Sequence, residues 1–217
     1  MKFLNNALIF IEKILFPPCC LICGKQTKEK LCRECKNRIF NELKISIKCR
    51  KNYKHLYLFE YKSEPRRLIL DYKFKDKSYL YDFFTEIILK KEKIYGILER
   101  YDIIIPVPIH LKRKKQRGYN QSELIAKKVA SKIENLKYEN NILIKAKNTL
   151  PQSSLNRKQR EQNVKNVYKI INSKKILNKK IILFDDIYTT GNTTKECVKI
   201  LKENGAREVL VFTIAKD

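Results

Sequence analysis

The run Ile181-Ile182-Leu183-Phe184-Asp185-Asp186-Ile187-Tyr188-Thr189-Thr190-Gly191-Asn192-Thr193-Thr194 passes from apolar residues to two acids, then to hydroxyls around one glycine. The apolar start predicts a buried strand over Lys180–Phe184, and helical spacing resumes over Thr193–Glu203. Gly205 then stands where a left-handed C-terminal cap is needed. Taken singly, Asp-Asp fits a helix N-cap and Thr-Thr-Gly fits a turn. In a strand–loop–helix context the combination means more. Backbone N–H groups at a helix N-terminus bind phosphate, glycine lets the backbone come close, and threonine hydroxyls add donors. Carboxylates on the adjoining turn can accept hydrogen bonds from sugar hydroxyls or hold a divalent cation. Together these parts describe a ribose 5-phosphate site.

Outward from this run the second half alternates. Tyr101–Val107 reads as a β-branched strand ended by prolines, Gln121–Ile133 as a helix, Ile142–Lys147 as a short strand, and Val209–Ile214 as a last strand. Continuous apolar strands alternating with helices predict a parallel sheet covered on both faces. Asn156–Asn166 is polar and reads as loop into helix. Earlier, Lys54–Tyr61 suggests a strand, while Glu64–Leu70 and Tyr79–Lys91 look helical. Phe3–Phe16 has helical apolar spacing, stopped by Pro17-Pro18; it is expected to pack on the rest of the protein, with a membrane-surface helix as the alternative.

The 217 residues suffice for one domain plus a small module. A hydrophobic content of 43% excludes a wholly disordered chain, and 5 Gly and 6 Pro leave no flexible or proline-rich tract. No apolar run is long enough to suggest a membrane span, and the N-terminus lacks a signal-peptide cleavage pattern. An odd number of cysteines, four of them in two CxxC pairs, reads as a reducing compartment, so a cytoplasmic protein is expected. The net charge of +25 has two accounts. It invites a polyanionic partner, and a Lys-, Asn-, Ile- and Tyr-rich composition is also what AT-rich coding produces. Lys112-Arg113-Lys114-Lys115-Gln116-Arg117 is the densest basic cluster. With Tyr119 it can neutralise and stack a single nucleic-acid strand, or it is a solvated basic loop.

Of the 7 cysteines, four form two CxxC pairs, Cys20/Cys23 and Cys32/Cys35, separated by 8 residues. Two such turns supply the four thiolates of a closed structural Zn²⁺ site, with Gly24 suited to the turn. Disulfides or redox pairs are the alternative, disfavoured by the cytoplasmic reading. Cys19 competes with Cys20 as a ligand. Cys49 reads as a free thiol and Cys197 as a small core residue. The expected division is residues 1–52, an N-terminal helix and cysteine module, and residues 53–217, the α/β domain.

The acid-and-threonine run resembles the signature of type I phosphoribosyltransferases, which bind phosphoribosyl pyrophosphate. With Tyr101–His110, Arg117–Ser122, Gln152, Arg157–Val164 and the cysteine module, nearly the whole chain resembles the ComF family of late competence proteins. One departure is that a further CxxC is reduced here to Cys49. The resemblance implies a phosphoribosyltransferase-like parallel sheet flanked by helices behind a small zinc finger. It implies that Asp185 and Asp186 hold the ribose hydroxyls and serve catalysis. Thr189, Thr190, Gly191, Asn192 and Thr193 would cradle the 5-phosphate, and Val107, Arg113 and Arg117 would lie at the pyrophosphate with Mg²⁺. Gln152–Arg160 would be a closing loop. It implies a role in DNA uptake, with Lys112, Arg113, Lys114, Lys115, Arg117 and Tyr119 facing single-stranded DNA. A DNA-uptake helicase and a recombination mediator would be partners, and the N-terminal helix would allow peripheral membrane association. A transferase of nucleotide metabolism, or a sensor of phosphoribosyl pyrophosphate, is the alternative. The acceptor substrate is not legible.

Overall fold

Runs of Ile, Leu, Val and Phe that point alternately to two faces build the centre of this molecule, and the helices cover both faces. The computed structural model describes residues 19–29, 31–74, 77–147, 149 and 166–217. The expected helix Phe3–Phe16, the expected closing loop Gln152–Arg160 and all but the last residue of the polar Asn156–Asn166 segment lie outside these residues.

Among the described residues the chain runs α1 (Arg33–Asn41), β1 (Ser46–Cys49), β2 (Lys54–Glu60), α2 (Ser63–Phe74), α3 (Leu80–Lys90), α4 (Glu92–Leu98) and β3 (Ile103–Pro106). It continues through α5 (Leu111–Arg117), α6 (Gln121–Ala130), β4 (Lys137–Tyr138), β5 (Leu143–Lys145), β6 (Tyr168–Ile170), β7 (Lys180–Tyr188), α7 (Asn192–Glu203) and β8 (Glu208–Lys216). Six strands form one sheet in the order β1-β2-β8-β7-β3-β4. The neighbours are parallel except the edge pair β1–β2, which is antiparallel, so the sheet is mixed rather than wholly parallel. β5 and β6 form a separate antiparallel pair.

Strand alternation divides the core in two. Ile104, Ile182, Phe184, Leu210 and Phe212 pack with apolar residues of α2, α3, α4 and α6. Ile103, Ile105, Ile181, Leu183, Val209 and Val211 pack with Cys197, Val198 and Leu201 of α7 and with Leu143 and Tyr168 of the small sheet. Cys197 is thus the small core residue its position suggests. In the cysteine segment, Ile22, Leu31 and Ile39 join the first of these clusters. Gly205, at φ +92°, takes the left-handed position after α7.

Topology places a crevice. From β7 the chain crosses through α7 to β8 on one side, while from β3 it crosses through α6 to β4 on the other. The two crossover helices pack on opposite faces. The carboxyl ends of β3 and β7 therefore meet where the winding reverses, the position at which open α/β sheets bind ligands.

Candidate functional site

β7 outruns β3, and this puts the two acids in the crevice. The β3 register ends at Pro106 opposite Phe184, with one more bond from the Val107 N–H to the Phe184 carbonyl at 2.8 Å. Pro108 offers no N–H to continue it. β7 runs on through Asp185 and Asp186 to Tyr188, paired on its other side with β8. The sequence expectation of a strand stopping at Phe184 is thus extended by four residues. The acids sit on strand held from one edge only.

Each acid is held differently. The Lys73 ammonium, at the end of α2, pairs with Asp186 Oδ2 at 2.9 Å. Asp185 Oδ1 accepts from the Ser122 hydroxyl at 3.1 Å and from the Asp186 N–H at 2.9 Å. Desolvation and then the Asp186 charge push the Asp185 carboxyl up to about 7, against Lys73 and the two donors. Burial thus favours the neutral form of this carboxyl in the crevice. Ser122 is placed by Asn120, which caps α6 by accepting from the Ser122 N–H at 3.1 Å and donates its amide to the Val107 carbonyl at 3.1 Å. Lys73, Asn120 and Ser122 had no assigned role in the sequence reading. Asn120 and Ser122 lay inside a quoted motif, whereas Lys73 carried no local signal.

Past Tyr188 the loop turns into α7 at Gly191, the N-cap, with φ +73°. A Cβ there would collide with the Tyr188 hydroxyl and ring, so glycine is required twice, by backbone and by contact. Thr189, Gly191, Asn192 and Thr193 line a cavity of about 480 Å³ together with Asp185, Asp186, Val107 and Arg113. Most residues of the expected ribose 5-phosphate site thus share one cavity. Thr190 faces another. Lys145 and Tyr168, from the small sheet, line the same cavity. Desolvation and then the nearby Arg113 charge pull Lys145 down to about 8.

The basic cluster is a helix. His110 caps α5, its Nδ1 accepting the Lys112 N–H at 3.2 Å, and Gly118 ends it with φ +76°. Lys112 and Lys115 are exposed, and Arg117 closes the helix. Lys114 is paired with Glu123 at 2.7 Å. Tyr119 is half-buried, with its hydroxyl donating to the Tyr72 carbonyl at 3.0 Å, so it braces α2.

The cysteine expectation has its own geometry. The Sγ atoms of Cys20, Cys23, Cys32 and Cys35 all lie within 4.8 Å of one another, and those of Cys23 and Cys32 are 3.7 Å apart. Sulfurs bound tetrahedrally at about 2.3 Å stand a little under 4 Å apart, so the cluster fits one ion such as zinc. The turn is closed by Gly24 N–H to Cys20 carbonyl at 2.9 Å, with Gly24 at φ +75°. Desolvation opposes charge on Cys20, but the N–H groups of Cys23, Cys32 and Ile22 outweigh it and pull the thiol down to about 6. Burial pushes Cys35 up to about 12, opposed by Arg38 Nη2 at 3.0 Å. Four clustered thiols cannot ionise together without a cation to hold them. Cys20, rather than Cys19, belongs to the set.

Comparison with known proteins adds names to this geometry. No family model matches the chain. Competence protein F of Haemophilus influenzae is 37% identical over 118 residues, 53% of this chain and 50% of that protein. The DNA utilization protein YhgH of Escherichia coli K12 is 27% identical over 119 residues, 55% of this chain and 51% of that protein. Competence protein ComFC of Streptococcus pneumoniae is 29% identical over 162 residues, 75% of this chain and 68% of that protein. The chain thus spans about half the length of the first two. Among solved structures, the glutamine phosphoribosylpyrophosphate amidotransferase from B. subtilis has a TM-score of 0.41 at 17% identity, covering 67% of this chain and 30% of that one. A hypoxanthine phosphoribosyltransferase from Staphylococcus aureus has a TM-score of 0.40 at 11% identity, covering 83% and 71%. Among the described residues, no helix is long and apolar enough to cross a membrane.

Proposed function

We propose, from the premise that the chain is a homologue of the ComF competence proteins, that it binds phosphoribosyl pyrophosphate in the β3–β7 crevice and acts in DNA uptake. The observation that carries this reading is Asp185 and Asp186 on the overhanging end of β7, one cavity wall away from the Gly191–Thr193 entry to α7. Adjacent acids suit a ribose diol. A glycine-led helix N-terminus with a threonine hydroxyl suits its 5-phosphate. Val107 and Arg113 line the same cavity and would meet the pyrophosphate, and Arg117 follows on the same helix as Arg113.

Transfer from such a substrate breaks the bond between the anomeric carbon and pyrophosphate. Positive charge grows on the ribose ring and negative charge on the leaving group. Asp185 and Asp186 would hold the sugar hydroxyls, and their negative charge favours the ring's developing cation. The Arg113 guanidinium would meet the developing charge on the leaving oxygens. Mg²⁺, where bound, would neutralise the pyrophosphate. Lys145 and Tyr168 line the cavity and would limit water.

Zn²⁺ on Cys20, Cys23, Cys32 and Cys35 would be structural, because four thiolates leave no open position. Single-stranded DNA would meet the exposed Lys112 and Lys115 of α5, with Arg113, Lys114 and Arg117 adding charge beside them and Tyr119 positioning the helix. A DNA-uptake helicase, a recombination mediator and the membrane surface are the partners this role would call for. The test is calorimetry with phosphoribosyl pyrophosphate and Mg²⁺. The parent protein should bind, and the doubly substituted Asp185→Asn/Asp186→Asn protein should lose binding while keeping its fold. Unchanged affinity in that variant overturns the reading.

A further inference from the structure

The loop that walls the acidic cavity has a second side. Behind it lies a groove of about 900 Å³, larger than the acidic cavity, bounded by the β1–β2 turn, the end of β8 and the outer side of α7. Thr189 and Asn192 line both spaces, so residues 189–192 are a shared partition. The groove's lining is cationic: Arg50 and Lys51 from the turn, Lys195 and Lys199 from α7, and Lys216 from β8.

Three observations describe this groove. Arg50, Lys51, Lys195 and Lys216 make no ion pair among the described residues, as is also true of many other basic residues there, and Lys199 reaches Glu203 only at 3.9 Å. The lining holds one acid, Glu196, which accepts the Asn166 N–H at 3.1 Å and keeps its charge, so five cations face one carboxylate. The Thr190 hydroxyl oxygen, on a residue lining the groove, is buried without a hydrogen-bond partner. An unpartnered buried hydroxyl is costly, and a ligand oxygen would relieve it only with a shift of the 189–192 loop, since the hydroxyl oxygen has no exposed surface. The uncompensated charge is felt inside the protein too. Buried His55 is discharged first by desolvation and then by the charges of Arg50, Lys216 and Lys48.

We propose that this groove is a second anion site that takes a row of phosphates: the triphosphate of a nucleotide or the backbone of a nucleic-acid strand. The cations come from three separate elements, the β1–β2 turn, α7 and β8, which suits several phosphates rather than one. The site rests on residues other than the acids, so it stands whether or not the crevice binds phosphoribosyl pyrophosphate.

The experiment uses the full chain carrying Asp185→Asn and Asp186→Asn, so that the crevice is silenced. Tripolyphosphate, ATP and oligo-dT are titrated at two salt concentrations. A groove variant adds Arg50→Gln, Lys195→Gln and Lys199→Gln. A control of equal charge adds Lys93→Gln, Lys127→Gln and Lys128→Gln, all exposed and away from the groove. The groove variant should lose about tenfold in affinity or more, and its oligo-dT salt slope should flatten by about 0.7 per lost contact. The control should keep most of both. Tight tripolyphosphate and ATP binding would identify a free nucleotide as the source, and binding of oligo-dT alone would identify a strand. Equal losses in both variants, or no binding of any probe by the starting protein at 50 mM salt (about one-third of physiological ionic strength), overturn the proposal.

Discussion

The Lys73 ammonium lies 2.9 Å from Asp186 Oδ2 in a pair that is largely out of water, with side-chain exposures of 19% and 12%. The same charge also favours ionisation of Asp185. Lys73 is therefore the cation that lets two adjacent acids stand at the end of one strand. Lys73→Met should destabilise the protein by about 1–3 kcal/mol at pH 8. At pH 5 the loss should be smaller, because Asp185 is then protonated and the charge that Lys73 offsets is reduced. Urea unfolding at the two pH values reads this difference. Equal losses would show that Lys73 acts by packing alone.

Metal loss should be felt by the whole fold. Ile22, Leu31 and Ile39 of the cysteine segment pack in the same core as α3 and α6. Binding energy at a closed thiolate site is folding energy, on the order of 10 kcal/mol in small zinc modules. Cys32→Ser should lose the ion, and the single thermal transition of the chain should move down. Metal analysis and calorimetry check both. An unchanged transition in metal-free protein would show that the cluster is dispensable.

Gly191 and Tyr188 should be coupled. Gly191→Ala places a side chain at φ +73°, which costs about 1–2 kcal/mol by itself, and drives its Cβ into the Tyr188 ring. Tyr188→Ala removes the collision but not the backbone strain. A double-mutant cycle should therefore return a favourable coupling of about 1 kcal/mol or more. Strict additivity would mean that the loop moves aside instead. Tyr188→Phe is the sharper control, since the ring remains and little should be relieved.

Five elements explain what the sequence made legible and what it did not. β3, β7 and β8 are covered on both faces, so each is a continuous apolar run that reads directly as buried strand. β1 is a largely exposed edge, Ser46-Ile47-Lys48-Cys49, whose polar residues hide it. α5 has one apolar residue, Leu111, and that side chain is exposed, so only its caps His110 and Gly118 betray a helix among charges. The acids and the Gly191 loop were visible because they are contiguous in the chain. Their supports were not: Lys73 and Ser122 reach the acids from other helices through contacts that no local spacing encodes. The partition at residues 189–192 was likewise read as a single cradle, because its second wall comes from the distant β1–β2 turn.

Two buried groups should tilt stability with pH in opposite directions. Burial holds His55 down to about 4, stacked 4.2 Å from Tyr188, with Nε2 paired to Thr213 at 2.9 Å and Nδ1 without a partner. A depressed histidine contributes stability that is present above its unfolded value of about 6.5 and lost as pH falls toward 4. Asp185 is raised to about 7, so its contribution is the reverse: present below its unfolded value of about 4 and lost as pH rises through 7. Each effect is on the order of 2–4 kcal/mol, and the two windows overlap between about pH 4 and 7, so they should largely cancel. The parent protein is thus expected to show a shallow pH profile over that range. His55→Gln should unmask the Asp185 slope, with stability falling as pH rises from 4 to 7. Asp185→Asn should unmask the His55 slope, with stability rising over the same interval. Denaturant unfolding of the three proteins at pH 4.5, 5.5 and 6.5 (all inside the overlap of the two windows, about pH 4 to 7) reads the slopes rather than the absolute values, so a general loss in either variant does not confuse the result. Parallel slopes in all three proteins would show that neither group titrates with folding.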